Sequence, residues 1–121
     1  MEVAFFDSYA ILEIIESNEN YTKFLNTIVV TTKLNLFEVY HSLLKNSGES
    51  KANEFIDSYN YVIADFDEEI IKEAAQLKLK YKKSFLSMVD CIGYVLAKKY
   101  SIKFLTGDKE FENMENVEFV K

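Results

Sequence analysis

Four carboxylates stand where chemistry could use them: Asp7, Glu38, Asp90 and Asp108. Asp7 closes the apolar run Val3 to Phe6, and Asp108 follows the run Ile102 to Thr106 after one glycine. Both runs read as short buried strands, so both acids fall at carboxyl ends, the edge where ligands collect in open α/β sheets. Glu38 lies on a helix after a second strand, at the border of a face formed by Leu34, Phe37, His41 and Leu44. Asp90 begins the helix that leads into the Ile102 strand. If the strands bearing Asp7 and Asp108 are neighbours where the winding reverses, acids from four distant parts of the chain face one crevice.

Such a cluster limits its own chemistry. Two bare carboxylates about 5 Å apart repel by roughly 3 kcal/mol at an effective dielectric near 20. They stay ionised together only where a cation offsets them, and all-oxygen ligation selects Mg²⁺ or Mn²⁺ over zinc. An ion of that kind recruits phosphates, polarises a phosphoryl oxygen and acidifies water, which matches phosphodiester hydrolysis. Each acid also has a plain structural reading. Asp7 and Asp108 suit helix caps, and Ser87 with Asp90 has the spacing of a capping box. Glu38 could pack its stem and wet its head. Taken together, these readings do not explain why all four gather at one sheet edge.

The elements that position them follow from local pattern. Val3 to Phe6 is strand one, and Tyr9 to Ile15 is helical with Ile11, Leu12 and Ile15 inward. A second short helix covers Tyr21 to Leu25, and the β-branched stretch Thr27 to Thr32 is strand two. Thr32 caps a helix from Lys33 to Lys45, ending before Asn46-Ser47-Gly48. Ser50 to Tyr59 is another helix with Phe55 inward, and Tyr61 to Phe66 is strand three. Asp67 caps a long helix to about Lys80. The Asp90 helix carries a stripe of Val89, Ile92, Gly93, Leu96, Ala97 and Tyr100, whose small members should leave room beside the carboxylate. Strand four (Ile102 to Thr106), a short helical turn and strand five (Val117 to Val120) complete the chain. Strands alternating with helices predict a three-layer α/β/α sandwich around a mainly parallel five-stranded sheet, a single domain over residues 1–121.

Composition agrees with a packed domain. A chain of 121 residues with 49% hydrophobic content and no proline can build a real core. No apolar run reaches the roughly 18 residues of a spanning helix, and the first residues lack a secretory pattern, so the expected location is the cytoplasm. The lone Cys91 cannot form an internal disulfide and reads as a small core residue. The sole histidine, His41, reads as a satisfied, partly buried side chain one turn beyond Glu38. Net charge is −6, which on average repels nucleic acid, yet nine of the fourteen lysines fall between Lys72 and Lys109. There is no arginine, so any phosphate grip relies on lysine point charges, backbone N–H groups or metal ions. Solvated helix surface explains most such lysines, with Lys98, Lys99 and Lys109 the candidates for a phosphate-binding face toward RNA.

Four stretches in order, AFFDSYAIL, NLFEVYHSLL, SMVDCIGYVLAKK and FLTGDKEF, resemble the PIN-domain ribonucleases, and among them the VapC-type toxins of toxin–antitoxin pairs. The resemblance covers essentially the whole chain and implies strand order 3-2-1-4-5. It implies that Asp7, Glu38, Asp90 and Asp108 form an acidic quartet holding Mg²⁺ or Mn²⁺, with the hydroxyls of Ser8 and Thr106 beside it. It further implies metal-dependent endonucleolytic RNA cleavage leaving 5′-phosphate and 3′-hydroxyl ends, a homodimer, and a small antitoxin whose C-terminal segment fills the groove. The missing arginine departs from the basic groove common in that family.

Other readings remain. Haloacid-dehalogenase-like phosphatases also place an Asp after strand one, but need a second Asp where this chain has Tyr9. A PIN-like scaffold that only binds RNA or protein would tolerate gaps in the quartet, and none is present. A nuclease of RNA processing without a toxin role is not separable from the toxin by these residues. Aromatic side chains are mainly core, with a few available to stack on bases, and exposed apolar rows on the first helices suit a dimer or antitoxin surface.

Overall fold

The sheet is built outward from one central strand. In the computed structural model, which describes residues 2–121, β1 (Val3–Phe6) pairs in parallel with β2 (Ile28–Thr31) on one side and β4 (Lys103–Thr106) on the other. The edges are β3 (Val62–Ile63), next to β2, and β5 (Val117–Phe119), next to β4. The order is therefore β3-β2-β1-β4-β5, with every pairing parallel. The chain first winds from β1 toward β3, then returns to the far side of β1 and winds the opposite way. That reversal puts a crevice at the carboxyl ends of β1 and β4.

Side chains alternate across a strand, so each strand feeds both faces. Phe5 and Phe104 enter one core with Ile92, Leu96 and Phe111, beneath α4 (Glu68–Lys80) and α5 (Met88–Lys99). Ala4, Phe6 and Leu105 enter the other, with Ile11, Val39, Leu43 and Phe55. This second layer is α1 (Ser8–Ile15), α2 (Lys33–Ser47) and α3 (Glu49–Ser58). The result is the expected α/β/α sandwich. No helix is long and apolar enough to cross a membrane, among the described residues.

Several local expectations change. The stretch Tyr61 to Phe66 forms only a two-residue strand, because β3 is an edge with one partner and the chain leaves at once for α4. The turn around Tyr21 is a 3-10 helix, Glu19–Phe24, capped by the Asn18 side chain on the Asn20 N–H. Helix α2 runs past Lys45 to Ser47 and stops where Gly48 takes φ +92°. Its buried stripe is Asn35, Val39 and Leu43, one turn apart each time. The predicted face of Phe37, His41 and Leu44 points outward instead, with Phe37 72% exposed. His41 is accordingly exposed and stacks on the Phe37 ring, with centroids 6.2 Å apart and planes within 3°.

Helix α5 is buried on every side from Cys91 to Ala97, while Tyr100 caps its end and is exposed. Gly93 does not leave space beside Asp90. A Cβ there would lie 2.7 Å from Phe5 Cε1 and 3.2 Å from Phe104 Cε1, so the missing side chain lets the helix press onto the sheet rings. Cys91 is a core residue as expected, and burial pushes its thiol up to about 11.

Candidate functional site

Three of the four acids are delivered by helix caps that would exist without chemistry. Asp7 is the N-cap of α1: its Oδ1 accepts the Ala10 N–H at 2.8 Å. Asp108 caps the 3-10 turn Lys109–Phe111, accepting the Glu110 N–H at 3.0 Å. Asp90 closes a full capping box on α5, accepting the Ser87 N–H at 3.2 Å while its own N–H reaches Ser87 Oγ at 3.0 Å. The structural readings are therefore real. They do not compete with clustering: Asp7 and Asp108 cap the turns that leave β1 and β4 at the carboxyl edge of the parallel sheet, and the start of α5, reached from α4, brings Asp90 to the same hollow.

Asp7, Asp90 and Asp108 line one hollow there, together with Tyr9, Gly107, Lys109 and Lys121. Glu38 is half-buried beside it, and its charge acts on Asp90. Burial pushes the Asp7 carboxyl up to about 7, against the pull of its Thr106 and Ala10 hydrogen bonds, with the charges of Asp90 and Asp108 adding to the rise. Asp90 is raised as well, first by burial, with its Ser87 bonds opposing and Asp108 and Glu38 adding. The carboxylates thus lie close enough for neighbouring charges to raise Asp7 and Asp90.

Two hydroxyls fix the orientation of these acids. Thr106 is fully buried; its Oγ1 accepts the Asp108 N–H at 3.0 Å and donates to Asp7 Oδ2. With a single proton to give, the hydroxyl has a set direction, and it bridges two of the acids. Ser8 Oγ accepts from Asn35 Nδ2 at 3.0 Å and so donates to Glu38 Oε1 at 2.5 Å. Asn35 is itself held by Thr32, whose Oγ1 donates to Asn35 Oδ1 at 2.6 Å. Asn35 and Thr32 are almost wholly buried. That relay was not read from the sequence. Its one signal is an amide in the buried stripe of α2, a place where side chains are normally apolar.

The expected lysines divide. Lys109 lines the acidic hollow. Lys98 and Lys99 lie at the far end of α5 and line a different hollow, between α4 and α5. Lys98 is engaged there by Glu115 at 2.6 Å. Tyr9 and Lys121, which the sequence did not single out, line the acidic hollow as well.

The donor set suits a hard divalent cation. Asp90, Asp108 and Glu38 each keep one carboxylate oxygen with no hydrogen bond among the described residues. No three acidic, imidazole or thiol side chains among the described residues already enclose an ion-sized hole. Mg²⁺ does not require one, since it keeps several waters and takes only one or two carboxylates directly.

Comparison with known families places this geometry. The family model described as the PIN domain matches residues 4–117. The chain belongs to the PIN-domain family. Several solved structures share the whole fold. The VapC20 toxin of Mycobacterium tuberculosis, described as cleaving the sarcin–ricin loop, superposes at TM-score 0.77 with 15% identity, covering 99% of this chain and all (100%) of that one. VapBC2 of Rickettsia felis, bound to a DNA fragment from its promoter, gives 0.73 at 14% identity, covering 98% and 99%. A toxin–antitoxin complex from Klebsiella pneumoniae gives 0.71 at 17%, covering 95% of each chain. At such identities the likeness is one of fold. Comparison with curated protein sequences finds no match.

Proposed function

We propose that this PIN-domain protein is a divalent-metal-dependent endoribonuclease and the toxin of a VapBC-type toxin–antitoxin pair. The observation that carries the reading is the joint lining of one hollow by Asp7, Asp90 and Asp108, with Glu38 beside them. Those four residues would hold Mg²⁺ or Mn²⁺. The chemistry such an ion supplies is charge offset at a phosphoryl oxygen and acidification of the attacking water.

The chain's own residues do the rest. Thr106 holds Asp7 and the Asp108 backbone in one fixed relation, and the Asn35–Ser8 relay holds Glu38. Fixed carboxylates need no reorganisation when charge develops at the phosphate, which is where an electrostatic site gains most. The products would carry 5′-phosphate and 3′-hydroxyl ends. A homodimer, a small antitoxin partner and a cytoplasmic location complete the proposal; the toxin–antitoxin assemblies among the fold relatives support the partner.

The test is incubation of the purified protein with single-stranded and loop RNA in Mn²⁺, with EDTA and Asp90→Asn as controls. Full cleavage in EDTA sinks the metal mechanism. Strong expression of active protein that leaves growth and translation untouched sinks the toxin role alone.

A further inference from the structure

The acidic hollow has a cationic side. Its walls beyond the acids are Tyr9, Gly107, Lys109 and Lys121, and its volume is about 340 Å³, inside the roughly 300–1,000 Å³ range of small-ligand sites. Lys121 follows β5 and holds its Nζ 5.7 Å from the centroid of the Tyr9 ring. The ring is itself seated: a Cβ on Gly107 would strike it and would come within 2.6 Å of the Val120 carbonyl oxygen. An aromatic face attracts an ammonium without using up its hydrogen-bond donors, so Lys121 is placed with those donors available. Among the described residues, the lysines in ion pairs are Lys72 and Lys98, which leaves Lys109 and Lys121 without a carboxylate partner.

The lysines of α5 are arranged otherwise. Lys98 is tied to Glu115, and Lys99 lies over Tyr100. Eight residues of helix separate Lys98 from Asp90, about 12 Å along the axis. A phosphate beside the acids is out of their reach and within that of Lys109 and Lys121.

We propose that Lys121, seated on Tyr9, forms with Lys109 the phosphate-binding subsite for the nucleotide next to the cleaved bond. The RNA strand then crosses the β4–β5 side of the hollow and does not follow α5. This rests on the ribonuclease reading above and adds the path of the substrate. The physical need is plain: a hollow of three carboxylates repels a polyanion, and point charges on its rim draw the backbone in. With no arginine in the chain, that task falls to lysine.

The experiment measures binding of a labelled single-stranded RNA to the full chain across a salt series, using Asp90→Asn so that the RNA stays intact. Each single-strand phosphate contact contributes a slope of about −0.7 in log K against log salt, so losing one costs about fivefold in affinity at 0.1 M salt. Lys109→Ala with Lys121→Ala is expected to weaken binding about 25-fold and flatten the slope by about 1.4. Lys98→Ala with Lys99→Ala is expected to change neither. Tyr9→Leu should behave like Lys121→Ala, and Tyr9→Phe like the parent. A slope unchanged by the Lys109 and Lys121 substitutions overturns the subsite, as does an equal loss from the Lys98 and Lys99 pair. Cleavage of the same RNA by the unsubstituted protein in Mn²⁺ separates the two readings. Cleavage with an unchanged slope sinks the subsite alone; Lys121-dependent binding without cleavage keeps the subsite and sinks the catalysis. Absence of RNA binding in every form sinks both.

Discussion

Ser8 donates its hydroxyl to Glu38 across 2.5 Å, and that bond joins the first turn of α1 to the second turn of α2. The donor direction is forced, because the Asn35 amide nitrogen already points a hydrogen at the same oxygen. Glu38 therefore meets the crevice as an oriented acceptor, not as a free surface acid.

Removing that donor should loosen the carboxylate without emptying the site. Ser8→Ala is expected to raise the Mn²⁺ concentration needed for half-maximal cleavage by about 10- to 100-fold, the usual effect of losing a ligand's orienting partner. Ser8→Thr keeps the hydroxyl and should keep most of the metal affinity. A metal titration of cleavage, with thermal melts of each variant, checks both.

Asp7→Asn and Asp90→Asn are each expected to reduce RNA cleavage to background while the fold persists. Both positions keep a side-chain oxygen for their backbone caps, so circular dichroism should be unchanged. Retained cleavage in both variants removes these acids from the mechanism.

The pH dependence of stability has a definite sign. With its native pKa near 7 and its ordinary value at 3.8, Asp7 binds a proton more tightly folded than unfolded. Stability from this group is then fully present below about pH 4, falls as pH rises toward 7, and is flat above. The span is at most about 4 kcal/mol at 1.36 kcal/mol per pKa unit, and Asp90 acts in the same direction. Metal-free melts between acid and mildly alkaline pH should show the fall, Asp7→Asn should flatten it, and Mn²⁺ should restore stability at the alkaline end by binding the ionised, folded form. A metal-free melting temperature that climbs through the same range, identically in Asp7→Asn, contradicts the account.

Gly93→Ala tests the packing of α5. One methyl must enter where Phe5 Cε1 would stand 2.7 Å away, with the rings of Phe5 and Phe104 already stacked at 5.7 Å. Overpacking of this kind costs about 1–3 kcal/mol. Denaturant melts should show that loss, and a neutral result means the rings move aside freely.

Much of this was legible because the signals are local. The apolar runs before Asp7 and Asp108, the cap at Thr32 and the Ser87–Asp90 box each announce an element boundary within a few residues, and the structure has all of them. What periodicity could not supply was the rotation of α2. Leu34, Phe37, His41 and Leu44 make a plausible stripe, but Asn35 takes the interior because Thr32 and Ser8 satisfy its amide there. That is a tertiary fact, invisible to a hydropathy pattern. Gly93 was misread for a similar reason: a small residue beside an acid looks like space until the rings of β1 and β4 are known to fill it. Lys121 and Tyr9 were missed because only the β4–β5 pairing brings the end of the chain back to the start.

The way β1 is held bears on how such a domain tolerates change. Neighbouring strands bond to it along both edges, and Phe5 and Phe6 anchor it from opposite faces. The residue that follows, Asp7, is 2% exposed and leaves a strand held on every side. By contrast, Phe37 and Phe85 stand in solvent, 72% and 87% exposed, on a helix flank and a connecting segment. Substitutions there alter the surface while the hub under Asp7 stays as it is.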